Sequence, residues 1–132
     1  MKFRTALLCN HAEVRDALLY IHGGSPEWWN IPEVPAETQL TVALVLEGAA
    51  ADQQLELFAW VHPADVAPDV RQAGRAAVLP VRDPDTFVHG APLYTPMVIQ
   101  LGCRFDRVGG WQVTFFVDGA VAATIPFGVR VR

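Results

Sequence analysis

In the stretch GGWQVTFFVDGAVAATIPFGVRVR, residues 109–132, two runs of alternating side chains flank the pair Asp118-Gly119. Asp-Gly in that position is the strongest short-range hairpin signal, because a type I′ turn needs positive φ at both central residues. The run before it sets Trp111, Val113, Phe115 and Val117 on one face. A chain that contains this run is committed to an antiparallel hairpin with an apolar side that something must cover.

The same period of two recurs along the chain. In QLTVALVLEG, Leu40, Val42, Leu44 and Leu46 share one face, and Thr41, Ala43, Val45 and Glu47 the other, so this strand is apolar on both sides near its middle and suits the centre of a sheet. QLELFAWVH repeats the pattern with Leu55, Leu57, Ala59 and Val61 inward. Strands are expected near residues 3–9, 17–23, 38–47, 53–62, 75–82, 94–101, 110–118 and 120–131. Short strands at that spacing predict an all-β fold, an Ig-like or C2-like antiparallel sandwich of seven to eight strands, with residues 1–132 as a single domain. The only helical candidate, PADVAPDVRQAGR at 63–75, holds two prolines that limit it to about a turn. Pro80, Pro96 and Pro126 fall in or at the start of strand candidates, which predicts edge or bulged strands, with a bulge at Pro126-Phe127-Gly128. The sequence has no internal repeat and no low-complexity tract.

The chain has 132 residues, 52% of them apolar and 18% charged, with a net charge of −4. That is enough chain to bury roughly 65–70% of its unfolded surface without a disulfide or metal staple. Ten scattered Lys and Arg residues give no basic stripe, so no nucleic-acid partner is expected. No stretch approaches 18 uninterrupted apolar residues, and the opening MKFRTALLCN lacks a signal-peptide or lipoprotein pattern, so neither a membrane partner nor export is expected. The expected compartment is the cytoplasm, where Cys9 and Cys103 stay as thiols unless neighbouring strands bring them together.

The chemistry-bearing residues make no recognisable constellation. Cys9 and His11 lie two apart, which would suit two metal ligands, but CxxC, HxxxH and HExxH are all absent and His22 and Cys103 have no readable relation to the pair. Cys9 is expected to pack as a small apolar residue and His11 to cap a turn. Ser25, the only serine, has no nucleophile elbow and suits the turn before Pro26. Asp83-Pro84-Asp85, Asp52 and Asp65 lack the calcium-loop spacing, and the glycine pairs at 23–24 and 109–110 lack the strand-to-helix setting of a phosphate loop. No metal, no cofactor and no catalytic residue is expected.

One surface feature remains, the loop IHGGSPEWWNIPEVP at 21–35. Pro26 and Pro32 bias the residues before them to extended backbone, so the side chains between them alternate. Trp29 and Ile31 are expected to enter the sandwich, while Trp28 and Asn30 face outward. Trp28 then lids the sandwich, rests on Pro35 or anchors a partner. Trp60 and Trp111 both lie in strand patterns and are expected in the core.

The segments ALLCNHAEV, LLYIHGG and GGWQVTFFVDGAVAATIPFGVRV resemble a family of small bacterial β-sandwich domains of unknown function. Its members open with a Leu-Leu-Cys strand, continue through a Gly-Gly strand end and a Trp-bearing Pro-rich loop, and close with Val-Asp-Gly and a Pro-Phe pair. The likeness spans roughly the first 47 and last 25 residues. It implies a sandwich fold and no particular activity. Asp16-Ala17 stands where the family has Asp-Gly, and residues 63–92 are long and irregular beside it.

The expected role is a non-catalytic interaction or assembly module, with Glu27, Trp28, Trp29, Asn30 and His22 as partner-binding residues and an edge strand as a second surface. Its partner would be another protein or a second copy in a homodimer or larger assembly. The alternatives are a small-molecule or carbohydrate-binding sandwich on Trp28, Asn30 and His22, and a metal-dependent or Cys/His hydrolase on Cys9, His11 and His62.

Overall fold

β-Branched and aromatic residues in period two make strands wherever a second sheet can cover the apolar face. The computed structural model describes residues 2–16, 18–24, 26–48, 56–78 and 93–132. They form β1 (Lys2–Arg15), β2 (Leu18–Gly24), β3 (Trp28–Ile31), β4 (Ala36–Gly48), β5 (Glu56–Pro63), β6 (Gly74–Val78), β7 (Leu93–Phe105), β8 (Gly109–Val117) and β9 (Ala120–Val131), with one 3-10 turn at Val70–Gln72.

Two sheets result, one in the order β2-β1-β4-β7 and the other in the order β3-β9-β8-β5-β6. Consecutive strands change sheet from β2 to β3, from β3 to β4, from β4 to β5, from β6 to β7 and from β7 to β8. Strands β1-β4-β7 facing β9-β8-β5 reproduce the A-B-E and G-F-C arrangement of an immunoglobulin-like sandwich, with β2 added at the outer edge of the first sheet. Asp118 at φ 53° and Gly119 at φ 80° make the β8–β9 turn, as the Asp-Gly pair requires.

The core lies between the sheets. Leu8, Leu40, Val42 and Leu44 meet Leu57, Val113, Phe115 and Val129, all fully or almost fully buried. Phe105 closes one end against Trp111, edge to face at 4.9 Å, and the Trp111 Nε1–H donates to Arg107 O at 3.1 Å.

Several expectations need correction. There are nine strands among the described residues, because the tryptophan loop contributes β3, which pairs parallel to β9. β1 runs to Arg15 instead of ending near residue 9, since its second half pairs with β2 out to Arg15 and Leu18. His11 is therefore a strand residue and caps no turn. The β8–β9 register is unbroken from Gly110 and Gly128 through Gln112 and Pro126, so no bulge stands there; the shift falls between Phe115 and Phe116. Pro96 does sit on an edge strand, β7. Pro80, residues 53–55 and 79–82 of two strand candidates, Asp52, Asp83 and Asp85, and Ser25 lie outside the described residues, as does Ala17 of the first turn.

A second apolar cluster forms on the outer face of the first sheet. Cys9, Ala12 and Ala43 are buried there, with Leu7, Leu19 and Val98 packed around them. Cys9 and Ala12 are three apart, which an unbroken period of two does not allow on one face. Between the Cys9–Gly24 and His11–His22 pairs, Gly23 takes φ 64° against the Asn10 side chain. Beyond that step the β1–β2 pairing continues to Arg15 and Leu18, and Ala12 and Leu19 of this arm belong to the cluster. This is why β4, with both Val42 and Ala43 fully buried, is covered on two sides.

Candidate functional site

The parallel ladder of β3 and β9 aligns Trp28 with Gly128, Trp29 with Val129, Asn30 with Arg130 and Ile31 with Val131. It is closed at its ends by Gly128 N–H donating to Glu27 O and Arg132 N–H donating to Ile31 O, each at 2.9 Å. Side chains alternate along this strand. Ile31 is buried in the core with Trp29 packed against it, while Trp28 and Asn30 face outward.

Trp28 remains 42% exposed, but its own chain engages it. The six-membered ring of the indole occupies the space where a side chain at position 128 would stand: a Cβ built there would lie 2.5 Å from Cζ3 and 3.0 Å from Cδ2. The Arg130 guanidinium stands over the ring at 5.3 Å and donates from Nε to Asn30 Oδ1 at 2.8 Å. The indole thus lies on β9 under Arg130.

The five expected partner-binding residues are divided by this geometry. Trp28 and Asn30 share the outward face of β3, with Glu27 just before the strand; Trp29 turns into the core; His22 stands on β2 in the other sheet, opposite His11. The His11 and His22 rings are exposed, with centroids 6.0 Å apart and planes inclined by 37°. Sequence reading missed this pairing, since nothing before the hairpin register is known relates position 11 to position 22.

The outer face of the second sheet carries a polar cluster. His62 and Thr114 are fully buried there, with Nε2 of the imidazole 2.7 Å from Oγ1 and its Nδ1 2.9 Å from Pro63 O. A carbonyl only accepts, so Nδ1 carries a proton, and Nε2 accepts from the Thr114 hydroxyl; Gln112 Nε2 also points at it from 3.5 Å. Trp60 stacks on the His62 ring at 4.2 Å on this face, so it is not a core tryptophan as Trp111 is.

These placements take apart the Cys9, His11 and His62 constellation: Cys9 is buried, His11 is exposed on the arm, and His62 lies on the other sheet. Burial pushes both thiols up, Cys9 in direction and Cys103 to about 11, which leaves neither as a thiolate near neutral pH. Cys9 Sγ donates to Thr41 O at 3.6 Å. β4 stands between the two cysteines, Thr41 facing Cys9 and Thr38 facing Cys103, so roughly 10 Å separates their strands and both thiols are free. Among the described residues no three or more His, Cys, Asp or Glu side chains gather as a metal site. A shallow depression between β4 and β7 is lined by Glu37, Thr38, Gln39, Gly102, Cys103 and Arg104. Asp65 pairs with Arg107 at 3.6 Å on the surface.

No protein-family model matches the chain, and no curated protein does. Among solved structures it is similar to the Pseudomonas fluorescens alkylpurine DNA glycosylase AlkC bound to DNA containing an abasic site analog, at 16% identity and a TM-score of 0.42 over 95% of this chain. The chain spans 30% of the length of that protein, and a likeness of this size carries no argument about activity. Among the described residues no helix is long and apolar enough to cross a membrane.

The remaining surface of note is the free edge of β2, which pairs with β1 on one side and with no other described strand. Its sequence LLYIHGG has no Lys, Arg, Asp, Glu or Pro, the residues that ordinarily protect a sheet edge. Leu18 is 59% exposed, Tyr20 38% and Ile21 36%, and Val14 of β1 beside them is exposed too. The other terminal strands are blunted: β7 holds Pro96 and Arg104, β6 is five residues long with Arg75, and the four residues of β3 lie between Pro26 and Pro32.

Proposed function

We propose that this chain is a non-catalytic assembly module whose β1–β2 arm pairs with a second copy of itself. The observation that supports this is the unguarded edge of β2 with its exposed Leu18, Tyr20 and Ile21. An open strand edge offers backbone N–H and C=O groups to another strand, and two β2 edges meeting antiparallel across a two-fold axis satisfy both at once. The arm carries mixed charges, Glu13 paired with Arg15 at 3.4 Å, so two copies do not repel strongly. The tryptophan loop 23–35 contributes less than its sequence suggests, because Gly128 and Arg130 already engage Trp28. Sedimentation equilibrium of the wild-type chain tests the reading: a dimer is expected, and a Leu18→Lys, Ile21→Lys variant with unchanged circular dichroism should be monomeric. A wild-type monomer at high concentration, or a variant that stays dimeric, overturns it.

A further inference from the structure

We propose that His11 and His22 form a surface site for a divalent first-row transition ion of the imidazole-preferring class, held across the β1–β2 hairpin. The two residues are direct partners in the antiparallel ladder, where Cβ atoms stand about 4.5–5.5 Å apart, so the backbone register fixes both imidazoles beside each other. With metal–nitrogen bonds of about 2.0–2.1 Å, two imidazoles on one ion have ring centres roughly 5–6 Å apart. The observed 6.0 Å is at the upper end of that range, and a small rotation of either exposed ring brings one nitrogen from each onto a common ion.

Neither ring makes a hydrogen bond or ion pair among the described residues, so neither has to give up a partner to bind. Both are exposed, which lets the ion keep water in its remaining positions. Glu13, the next residue on this face of β1, is held by Arg15 at 3.4 Å and leaves the site to the two imidazoles. Imidazole suits Zn2+, Ni2+ and Cu2+ and discriminates against Mg2+ and Ca2+, which take oxygen ligands. A bound ion links the two strands of the arm side chain to side chain, and this inference does not depend on the dimer proposed above.

Isothermal titration of the full chain with ZnCl2 and with NiCl2 tests the site. Saturable binding is expected for both ions and none for MgCl2. His11→Asn and His22→Asn should each weaken it by about 10–100-fold, at least the loss seen when a metal site loses an outer partner. Both positions are exposed, so circular dichroism of the variants should match the wild type. Wild-type protein that binds neither ion, or a double His11→Asn, His22→Asn variant that binds as tightly as wild type, overturns the proposal.

Discussion

The indole of Trp28 fills the space that a side chain on Gly128 would need, so a residue in β3 dictates the identity of one in β9. Gly128→Ala forces the ring off its seat, and overpacking of this kind costs about 1–3 kcal/mol. The tryptophan emission of the variant should shift to the red as Trp28 gains solvent. In a Trp28→Ala background the same substitution should cost almost nothing, so a double-mutant cycle by urea unfolding measures the contact directly. Equal costs in both backgrounds would mean that the ring is not seated there.

Thr114→Val keeps the shape of a fully buried side chain and removes the hydroxyl that donates to His62 Nε2. Leaving that nitrogen short of a donor in a closed site should cost about 1–3 kcal/mol. Thr114→Ser, which keeps the hydroxyl, should lose less, and thermal unfolding of the pair separates the hydrogen bond from the methyl group.

Cys103 has its thiol pushed up from about 9 to about 11 by burial, so the folded chain keeps a proton that the unfolded chain loses in between. Stability from this group is therefore full below about pH 9 and falls as the pH rises toward 11. The urea midpoint of wild type relative to Cys103→Ala should drop across that interval and stay level below it. Iodoacetamide labelling of the folded chain should be slow at neutral pH and accelerate steeply above it.

Two glycines with open space around them give opposite expectations. Gly119 sits at φ 80° in the β8–β9 turn, so Gly119→Ala strains the backbone and should cost roughly 1–2 kcal/mol. Gly102 lies in β7 without a positive φ and with nothing near a built Cβ, so Gly102→Ala should be neutral or slightly stabilising. Chemical denaturation of both variants under one condition checks the contrast.

What the sequence revealed was local. Asp118-Gly119 places a hairpin by itself, and the apolar run of β4 announces a strand covered on both faces. The proline-bracketed alternation separates Trp29 and Ile31 from Trp28 and Asn30, because extended backbone permits no other division. What it hid depends on distant pairing. Asn30 meets Arg130 across 100 positions, and a parallel ladder between a four-residue segment and a later strand has no short-range signal. The arm was obscured for a different reason: Cys9 and Ala12 share a cluster that strict alternation assigns to opposite faces. Trp60 was misassigned because its run is apolar on both faces, and only the buried His62 and Thr114 reveal that the outer face is covered as well.

The parallel pairing of Trp28–Ile31 with Gly128–Val131 also sets an order of events during synthesis. A ribosome delivers the tryptophan segment early, and its strand partner among the described residues about a hundred residues later, at roughly 5–20 residues per second. For those seconds two tryptophans and an isoleucine have no ladder to join, and the edge of the second sheet that they will form does not yet exist. This edge of the second sheet therefore forms only after β9 has been made, and anything that shields an apolar nascent segment would act on residues 28–31 before then.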